Sequence, residues 1–351
     1  MVSSITQPMN HVIVYKEPGR FGGWPANHGI WSWGNEILVG FERAYYQAND
    51  KNHSIVWDRP AELGLARSLD GGETWNLESP GELAQLHENA SPSKGNTDFE
   101  SPGFAMKCSG EVFFVSHDRG KTWQGPFRFP DFVGKLTSRT DYLVQGPREC
   151  LFFLSAFESQ VEAGFQDRAF CARTRDGGKT FEFLSWMTGE PIGIRSVMPS
   201  TVKNSKGVLI SAMRRRHDDQ TGNAVKVKCW IDVYQSADDG LTWEFLSKVA
   251  DIEGNNGNPP SMVCLQDGRL CVAYGYREAP FGMRARLSRD NGKIWGKEVI
   301  LRDDGRSWDL GYPRMVQRPD GKLVTVYYYT TAENPEQHIA ATIWGPDSLE
   351  K

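Results

Sequence analysis

Long apolar runs, a strong net charge and closely paired cysteines are all missing from this 351-residue chain. No segment approaches the ~18 consecutive apolar residues of a membrane helix, so a membrane-spanning protein is not expected. The 40 Lys and Arg residues against 44 Asp and Glu residues give a formal net charge of −4. Nucleic-acid-binding proteins usually carry a basic excess. We therefore expect neither a membrane nor a nucleic acid as a partner.

The six cysteines show no Cys-x-x-Cys pair and no spacing typical of a zinc site. Apolar neighbours, as in Glu149-Cys-Leu-Phe-Phe-Leu, predict buried free thiols that act as small hydrophobic side chains. The sequence therefore predicts no metal site and requires no cofactor. Met1–Asn10 lacks a positive segment followed by an apolar one. This favours a cytoplasmic location over a secreted protein whose leader has been removed.

Glycine and aromatic residues are abundant, with 36 Gly, 12 Trp, 11 Tyr and 18 Phe. Such a composition is typical of β-sheets joined by tight turns. It also offers aromatic surfaces suited to flat ligands such as sugars, so a carbohydrate is the expected partner.

A turn motif, Ser/Thr-x-Asp-x-Gly-x-Thr-aromatic, occurs five times, with Ile294 replacing the threonine in the last copy. The aspartate can accept hydrogen bonds from backbone N–H groups of the turn, and the glycine can adopt a positive φ. The final Trp or Phe begins the next strand and can pack between sheets. The copies begin at Ser68, Ser116, Thr174, Ser236 and Ser288, intervals that each suit one four-stranded propeller blade.

This motif resembles the Asp box of the sialidase (neuraminidase) superfamily, and the resemblance extends over nearly the whole chain. It implies that the motif aspartates are structural rather than catalytic. They are Asp70, Asp118, Asp176, Asp238 and Asp290.

A second repeat of turn-plus-strand segments, such as Gln266–Ala273 and Pro319–Val326, completes the blade count. The second blade is expected to be short of a strand, because Phe104–Gly110 runs almost directly into the next motif. The last blade lacks an outer strand, which His11–Tyr15 can supply and thereby close the ring. We predict an all-β, six-bladed β-propeller as a single domain over residues 1–351.

Function is expected on the face opposite the repeated turns. The turns are short and uniform, whereas the loops at 41–59, 157–168 and 213–223 are long, charged and aromatic. Long loops on a rigid scaffold are the usual location of binding and catalytic residues.

The resemblance implies an exo-sialidase that hydrolyses a terminal acidic sugar with retention, using a Tyr nucleophile and an Asp acid. Arginines would bind the sugar carboxylate through bidentate hydrogen bonds. The segment Gly311-Tyr312-Pro-Arg314 matches the nucleophile's position, and Asp50 or Asp58 matches the acid's. The candidate substrate-binding arginines are Arg214 (with Arg215 as an alternative register), Arg284, Arg314 and Arg195.

Two positions depart from the family pattern. The stretch Gly22–Gly29 has no arginine where the family has Phe/Tyr-Arg-Ile-Pro, and Arg20 is offset from it. The glutamate that would activate the tyrosine is missing at Arg195 and Ser196.

These departures draw attention to His28 and to the tryptophans around it. His28 precedes an inner strand and is therefore expected near the ring axis. It could act as an acid or base or bind a sugar hydroxyl, with Trp24 as a stacking platform. Alternatively, the tryptophans pack between blades and His28 satisfies a buried backbone group. His53 is a weaker candidate in the first long loop.

Three functions remain open at this point. The first is a sialidase-like glycoside hydrolase. The second is a hydrolase or lyase for glycans containing uronic acids, using His28 and Tyr312. The third is a propeller that binds glycans without catalysis, because fold alone does not establish chemistry. An enzyme acting on an acidic sugar is the preferred interpretation.

Overall fold

The computed structural model describes residues 9–84, 89–157, 167–189, 193–219, 226–252 and 257–349. Within these ranges the regular structure consists of 24 strands and short 3-10 turns, including Pro25–Asn27, Gly81–Ala84 and Pro346–Leu349. No helix in this part of the chain has the length and apolar character needed to cross a membrane.

The strands form six sheets that follow one another along the chain. Blade one contains β2 (Arg20–Gly23), β3 (Gly29–Trp33), β4 (Glu36–Tyr45), β5 (Glu62–Ser68) and β6 (Asn76–Glu78). Blade two contains β7 (Ala105–Ser109), β8 (Val112–Ser116) and β9 (Gln124–Arg128). Blade three contains β10 (Tyr142–Gly146), β11 (Glu149–Phe157), β12 (Asp167–Thr174) and β13 (Glu182–Trp186).

The remaining blades have four strands each. Blade four contains β14 (Ile194–Lys203), β15 (Leu209–Asp219), β16 (Lys226–Ser236) and β17 (Glu244–Asp251). Blade five contains β18 (Ser261–Cys264), β19 (Leu270–Tyr276), β20 (Gly282–Ser288) and β21 (Val299–Arg302). Blade six contains β22 (Gly311–Gln317), β23 (Leu323–Tyr329), β24 (His338–Trp344) and the N-terminal β1 (Asn10–Tyr15).

The ring is closed by the pairing of β1 with β24. The two strands run antiparallel from Asn10 opposite Ile343 to Tyr15 opposite Ile339. This confirms the predicted all-β, six-bladed propeller with an N-terminal closing strand. Blade two has three strands, as its compressed sequence predicted.

The inner strand of blade one is interrupted. Both β2 and β3 pair with β4, and the 3-10 turn Pro25–Asn27 separates them. Proline fixes φ near the helical value and is well suited to the first position of such a turn. The interruption places Asn27 at the ring centre.

Each blade buries both of its faces against its neighbours. In β23, Tyr328 packs with the cluster around Val14 and Phe21, whereas Tyr327 and Tyr329 pack with the cluster of blade five. Side chains alternate across a strand, so three consecutive buried tyrosines require an apolar layer on each side. Burying one such large side chain contributes about 1.5–3 kcal/mol.

All six cysteines are free thiols, as predicted, and all but Cys264 are fully buried. The first four repeat turns share one hydrogen-bond pattern. In the first, Ser68 Oγ donates to Asp70 at 2.8 Å, and Thr74 donates through its backbone N at 2.9 Å and through Oγ1 at 2.6 Å. Partial burial opposes ionisation, but the bonds from Thr74 outweigh it and lower the pKa of Asp70 to about 2.

The fifth turn lacks one of these bonds and thereby offers a stability test. Ile294 donates only its backbone N to Asp290, at 2.9 Å, and its side chain is 71% exposed. We expect Ile294→Thr to stabilise the fold by about 0.5–1 kcal/mol, because it adds a hydroxyl donor to a carboxylate. Urea unfolding measures the change. Thr242→Ile is the matched control and should destabilise by a similar amount; unchanged stability in both variants would contradict the expectation.

Candidate functional site

A cavity of about 260 Å³ lies at the ring centre, on the face that carries the long loops and the blade-to-blade crossings. It is smaller than the ~300–1,000 Å³ of typical pockets for drug-sized ligands, so it suits one sugar ring rather than a chain of them. Blades one, three, four and six contribute side chains. The lining residues are Asn27, His53, Thr137, Arg139, Asp167, Arg195, Val197, Met198, Arg214, Arg216 and Tyr312.

Tyr312 enters the cavity from a strained corner at the start of β22. Its φ is +50° and that of Gly311 is +109°. Asn258, fully buried, accepts a hydrogen bond from the Tyr312 backbone N at 2.6 Å and donates to the Leu310 carbonyl at 3.2 Å. A Cβ at residue 311 would lie 2.3 Å from Asn258 Oδ1, so only glycine fits there. A positive φ in a tyrosine costs about 1–3 kcal/mol and is typical of functional sites.

Arginine charges surround the Tyr312 phenol. Arg214 Nη1 donates to Tyr312 Oη at 3.1 Å, and the Arg277 guanidinium carbon lies 5.5 Å from the ring centroid. Burial alone would raise the pKa of Tyr312, but the charges of Arg214, Arg277, Arg195 and Arg139 outweigh it and the pKa is lowered. No carboxylate among the described residues accepts a hydrogen bond from this hydroxyl. The arginines therefore favour the phenolate.

Alternation along β15 decides which of three consecutive arginines reaches the cavity. Arg214 and Arg216 line it, and Arg216 forms two hydrogen bonds with Asp218, at 2.6 and 2.9 Å. Arg215 points to the opposite side, where it is fully buried and donates to Tyr234 Oη at 2.6 Å. Successive side chains of a strand face opposite ways.

Two further arginines come from blade three and blade four. Arg195 forms a two-point ion pair with the buried carboxylate of Asp167, with one contact at 3.0 Å. Arg139 donates to Asn27 Oδ1 at 2.9 Å and to the Thr137 and Ser138 carbonyls. Burial lowers the pKa of Arg139. The lining thus holds four guanidinium groups and one carboxylate, a surplus of positive charge that suits an anionic ligand.

His53 reaches the cavity from the loop after β4. Its Nδ1 lies 2.5 Å from Asp309 Oδ1, and its ring packs edge-on against Trp24 with centroids 5.0 Å apart. Asp309 is buried and also accepts hydrogen bonds from Tyr328 Oη at 2.8 Å and Gln337 Nε2 at 3.1 Å. The carboxylate therefore fixes the orientation of the imidazole.

The sequence candidates are divided between this cavity and other places. Tyr312, Arg214 and Arg195 line it. His28 is nearly buried beside Glu42, with His28 Nε2 4.0 Å from Glu42 Oε2. Trp24 is buried and forms the packing behind His53, so the structure gives it no exposed stacking face.

The other candidates do not line the cavity. Asp50 and Asp58 are exposed in the loop after β4, where the Asp50 carbonyl accepts a hydrogen bond from Trp308 Nε1 at 3.1 Å. Arg284 is buried in blade five, with its Nε 3.4 Å from Glu298. Arg314 lines a second cavity of about 330 Å³ with Asp141. Parts of two predicted functional loops, residues 158–166 and 220–225, lie outside the described residues.

Sequence reasoning missed Arg139, Asp309 and Glu42. His28 was selected because the starts of inner strands converge on the ring axis. The same argument applies to Arg139, which precedes β10, and to Asp309, which precedes β22. Glu42 directly follows the buried run Ile37–Phe41 of β4, and a carboxylate at such a position is itself a signal of a functional residue. In the described ranges, no group of three or more His, Cys, Asp or Glu side chains could hold a metal ion.

Comparison with known families identifies the repeat. The model of the BNR repeat-like domain matches residues 99–325, more than half of the chain. The chain belongs to the BNR repeat-like domain family. The predicted membership of the sialidase-type superfamily of BNR propellers is thereby confirmed. No match was found among curated protein sequences.

Several solved structures share the fold of this BNR-repeat propeller. A protein of unknown function from Dyadobacter fermentans superposes with a TM-score of 0.68 at 22% identity, covering 95% of this chain and 98% of its own. An α-L-arabinanase from Penicillium chrysogenum gives 0.60 at 13% identity, covering 97% and 98%. A sialidase from Trypanosoma rangeli gives 0.54 at 14% identity, covering 96% of this chain and 59% of its own. At these identities the likeness establishes the fold alone.

The arginine cluster predicts an unusual titration of Tyr312. Because the positive charges stabilise the phenolate, Tyr312 should ionise at lower pH than an ordinary tyrosine near 10. Arg214→Met removes the arginine whose charge lowers the pKa of Tyr312 most, so the variant should titrate at higher pH. NMR of protein labelled at tyrosine ¹³Cζ, with Tyr312→Phe to assign the signal, measures both values. Arg216→Met is the control and should cause a smaller shift of the Tyr312 pKa, because the Arg216 charge is already paired with Asp218. Identical titrations in wild type and Arg214→Met would contradict the electrostatic interpretation.

Proposed function

We propose that this protein is a glycoside hydrolase that removes a terminal acidic sugar, sialic acid or a relative of it, with retention and with Tyr312 as nucleophile. The observation that carries the proposal is the position of Tyr312 in a cavity of one-sugar size among four arginine charges. The planar guanidinium groups are suited to bind the carboxylate of an acidic sugar through bidentate hydrogen bonds.

The arginines have two roles in this proposal. Arg139 and Arg195, held in place by Asn27 and Asp167, are suited to bind the sugar carboxylate. Arg214 and Arg277 act on Tyr312 itself and lower its pKa, which increases the fraction of the nucleophilic phenolate. In this way the arginines replace the activating glutamate that the family pattern places near Arg195.

The similar structures support the reaction class. The Penicillium chrysogenum neighbour is an arabinanase bound to arabinobiose, and the Trypanosoma rangeli neighbour is a sialidase bound to sialic acid. Both are glycoside hydrolases on this scaffold. The arginine-rich cavity of this chain favours sialic acid, which is the acidic one of these two sugars.

Hydrolysis of fluorogenic glycosides tests the proposal. We expect the purified protein to cleave a fluorogenic α-sialoside and to leave an α-L-arabinofuranoside with the same leaving group intact. Tyr312→Phe should reduce kcat/KM on the sialoside by at least about 10²-fold, because removal of a nucleophile eliminates the covalent route. Arg139→Met should mainly raise KM, because it removes a carboxylate contact.

Three results would refute this proposal. Cleavage of the arabinofuranoside alone would show that the arginines do not select an acidic sugar. Full activity of Tyr312→Phe would remove Tyr312 from the mechanism. Tight sialoside binding without turnover by the wild type would favour a non-catalytic glycan-binding propeller.

A uronate lyase is the second candidate, and the His53–Asp309 pair favours it. Elimination from a uronic acid needs cations at the carboxylate, a base for the adjacent C–H and an acid for the leaving oxygen. His53 and Tyr312 line the same cavity and could supply this pair. Incubation with oligosaccharides containing uronic acids should then produce the ultraviolet absorbance of an unsaturated uronate, and His53→Gln should abolish it. Products without that absorbance would exclude elimination.

A further inference from the structure

Three ionisable side chains from three different elements interact electrostatically with one another. Glu42 comes from β4, His28 from the residue before β3, and Lys107 from β7. Lys107 is 4% exposed, and the side chains of His28 and Glu42 are 13% and 28% exposed. Within this cluster, His28 Nε2 lies 4.0 Å from Glu42 Oε2.

These groups are not satisfied by the residues around them. Both ring nitrogens of His28 are buried without a hydrogen-bond partner among the described residues. Within the same part of the chain, the Glu42 carboxyl has no closer polar contact than His28. Burying a polar group without a partner costs about 1–3 kcal/mol, so a fold that served stability alone would not retain both ring nitrogens of His28 in this state beside a carboxyl. Such a cluster is typical of a site completed by its ligand.

In the described part of the chain, ionisable groups from four places in the fold face Glu42. His28 faces it from the turn before β3, Lys107 from β7, Arg139 from the segment before β10, and His53 from the loop after β4. Arg139 and His53 line the cavity, and their charges act on Glu42, so the Glu42 carboxyl lies within electrostatic reach of the cavity lining. Unlike Asp167, which is paired with Arg195, Glu42 forms no ion pair with an arginine among the described residues.

The environment determines the proton content of this carboxyl. Burial raises the pKa of Glu42, and the charges of Arg139, Lys107 and His53 oppose the rise without cancelling it. Burial and the charges of Lys107, Arg139 and Arg314 lower the pKa of His28 well below its ordinary value, so His28 stays neutral. Burial lowers the pKa of Lys107 to about 8. A raised pKa favours the protonated form of a carboxyl, and that form is the one needed for general acid catalysis.

We propose that Glu42 is the proton donor of this site. The inference depends on the hydrolytic function proposed above. As the Tyr312 oxygen bonds to the anomeric carbon and the glycosidic C–O bond breaks, the Glu42 proton passes to the leaving oxygen, which departs as an alcohol. The Glu42 carboxylate then takes a proton from a water molecule whose oxygen attacks the anomeric carbon, releasing the sugar and the Tyr312 phenolate.

A leaving-group experiment separates a proton donor from a structural residue. Glu42→Gln keeps the size of the side chain and removes the transferable proton. Its kcat/KM should fall by about 10²–10⁴-fold on a sialoside with an alkyl or sugar leaving group, which needs protonation. The loss should be much smaller on a dinitrophenyl sialoside, whose leaving group departs without it. Asp50→Asn and Asp58→Asn are matched controls in the adjacent loop and should leave both activities unchanged.

Each outcome has a definite meaning. Equal losses of Glu42→Gln on both substrates, or no loss on either, would overturn the role of Glu42. The proposed function would still stand in that case, provided that the wild type hydrolyses the sialosides and Tyr312→Phe does not. Turnover of neither substrate by wild type would refute the proposed function and this inference together. A selective loss in Asp50→Asn or Asp58→Asn would transfer the role to that aspartate. Thermal melting verifies that Glu42→Gln folds. If it does not, Glu42→Asp, which keeps an acid at a displaced position, should retain part of the activity on the alkyl sialoside.

Discussion

Closure of the ring by β1 and β24 is the constraint on which the site depends. Their pairing joins the chain's beginning to its last blade and brings blade one beside blade six. Only because of that contact does His53 meet Asp309, although 256 positions separate them along the chain. The charge of Arg139 acts on both Glu42 of the first blade and Tyr312 of the last. A site assembled across this junction exists only in the completed ring.

The centre of the ring concentrates positive charge in a buried place. Fixing several guanidinium groups away from water is unfavourable unless a carboxylate or a ligand compensates them. Asp167 compensates Arg195, and the Tyr312 oxygen accepts a hydrogen bond from Arg214. The strained backbone at Tyr312, held by Asn258, adds a further cost. Rigid blades provide the stability that permits both, because their interiors are close-packed on each face.

The fold could be predicted almost completely from the sequence, because its signals are local. Each repeat turn is specified by residues at most four positions apart, such as Asp70 with Thr74. The site could be predicted only in part. Tyr312 and Arg214 stood in recognisable segments, but the choice between Arg214 and Arg215 depended on strand register. Arg139 and Asp309 carry no local motif, so their position beside the cavity follows only from the convergence of inner strands at the axis.

The sequence by itself determined the number of blades, the shortened second blade and the strand that closes the ring. Periodic turn residues encode those features through short-range hydrogen bonds and backbone preferences. The tertiary structure alone decided which charged side chains share the central cavity. The folded chain places Arg284 and Arg314 away from that cavity and leaves Asp50 and Asp58 exposed to solvent. It also brings Glu42, His28 and Lys107 together. Charges interact through space, and distances across a closed ring are set by packing rather than by order along the chain.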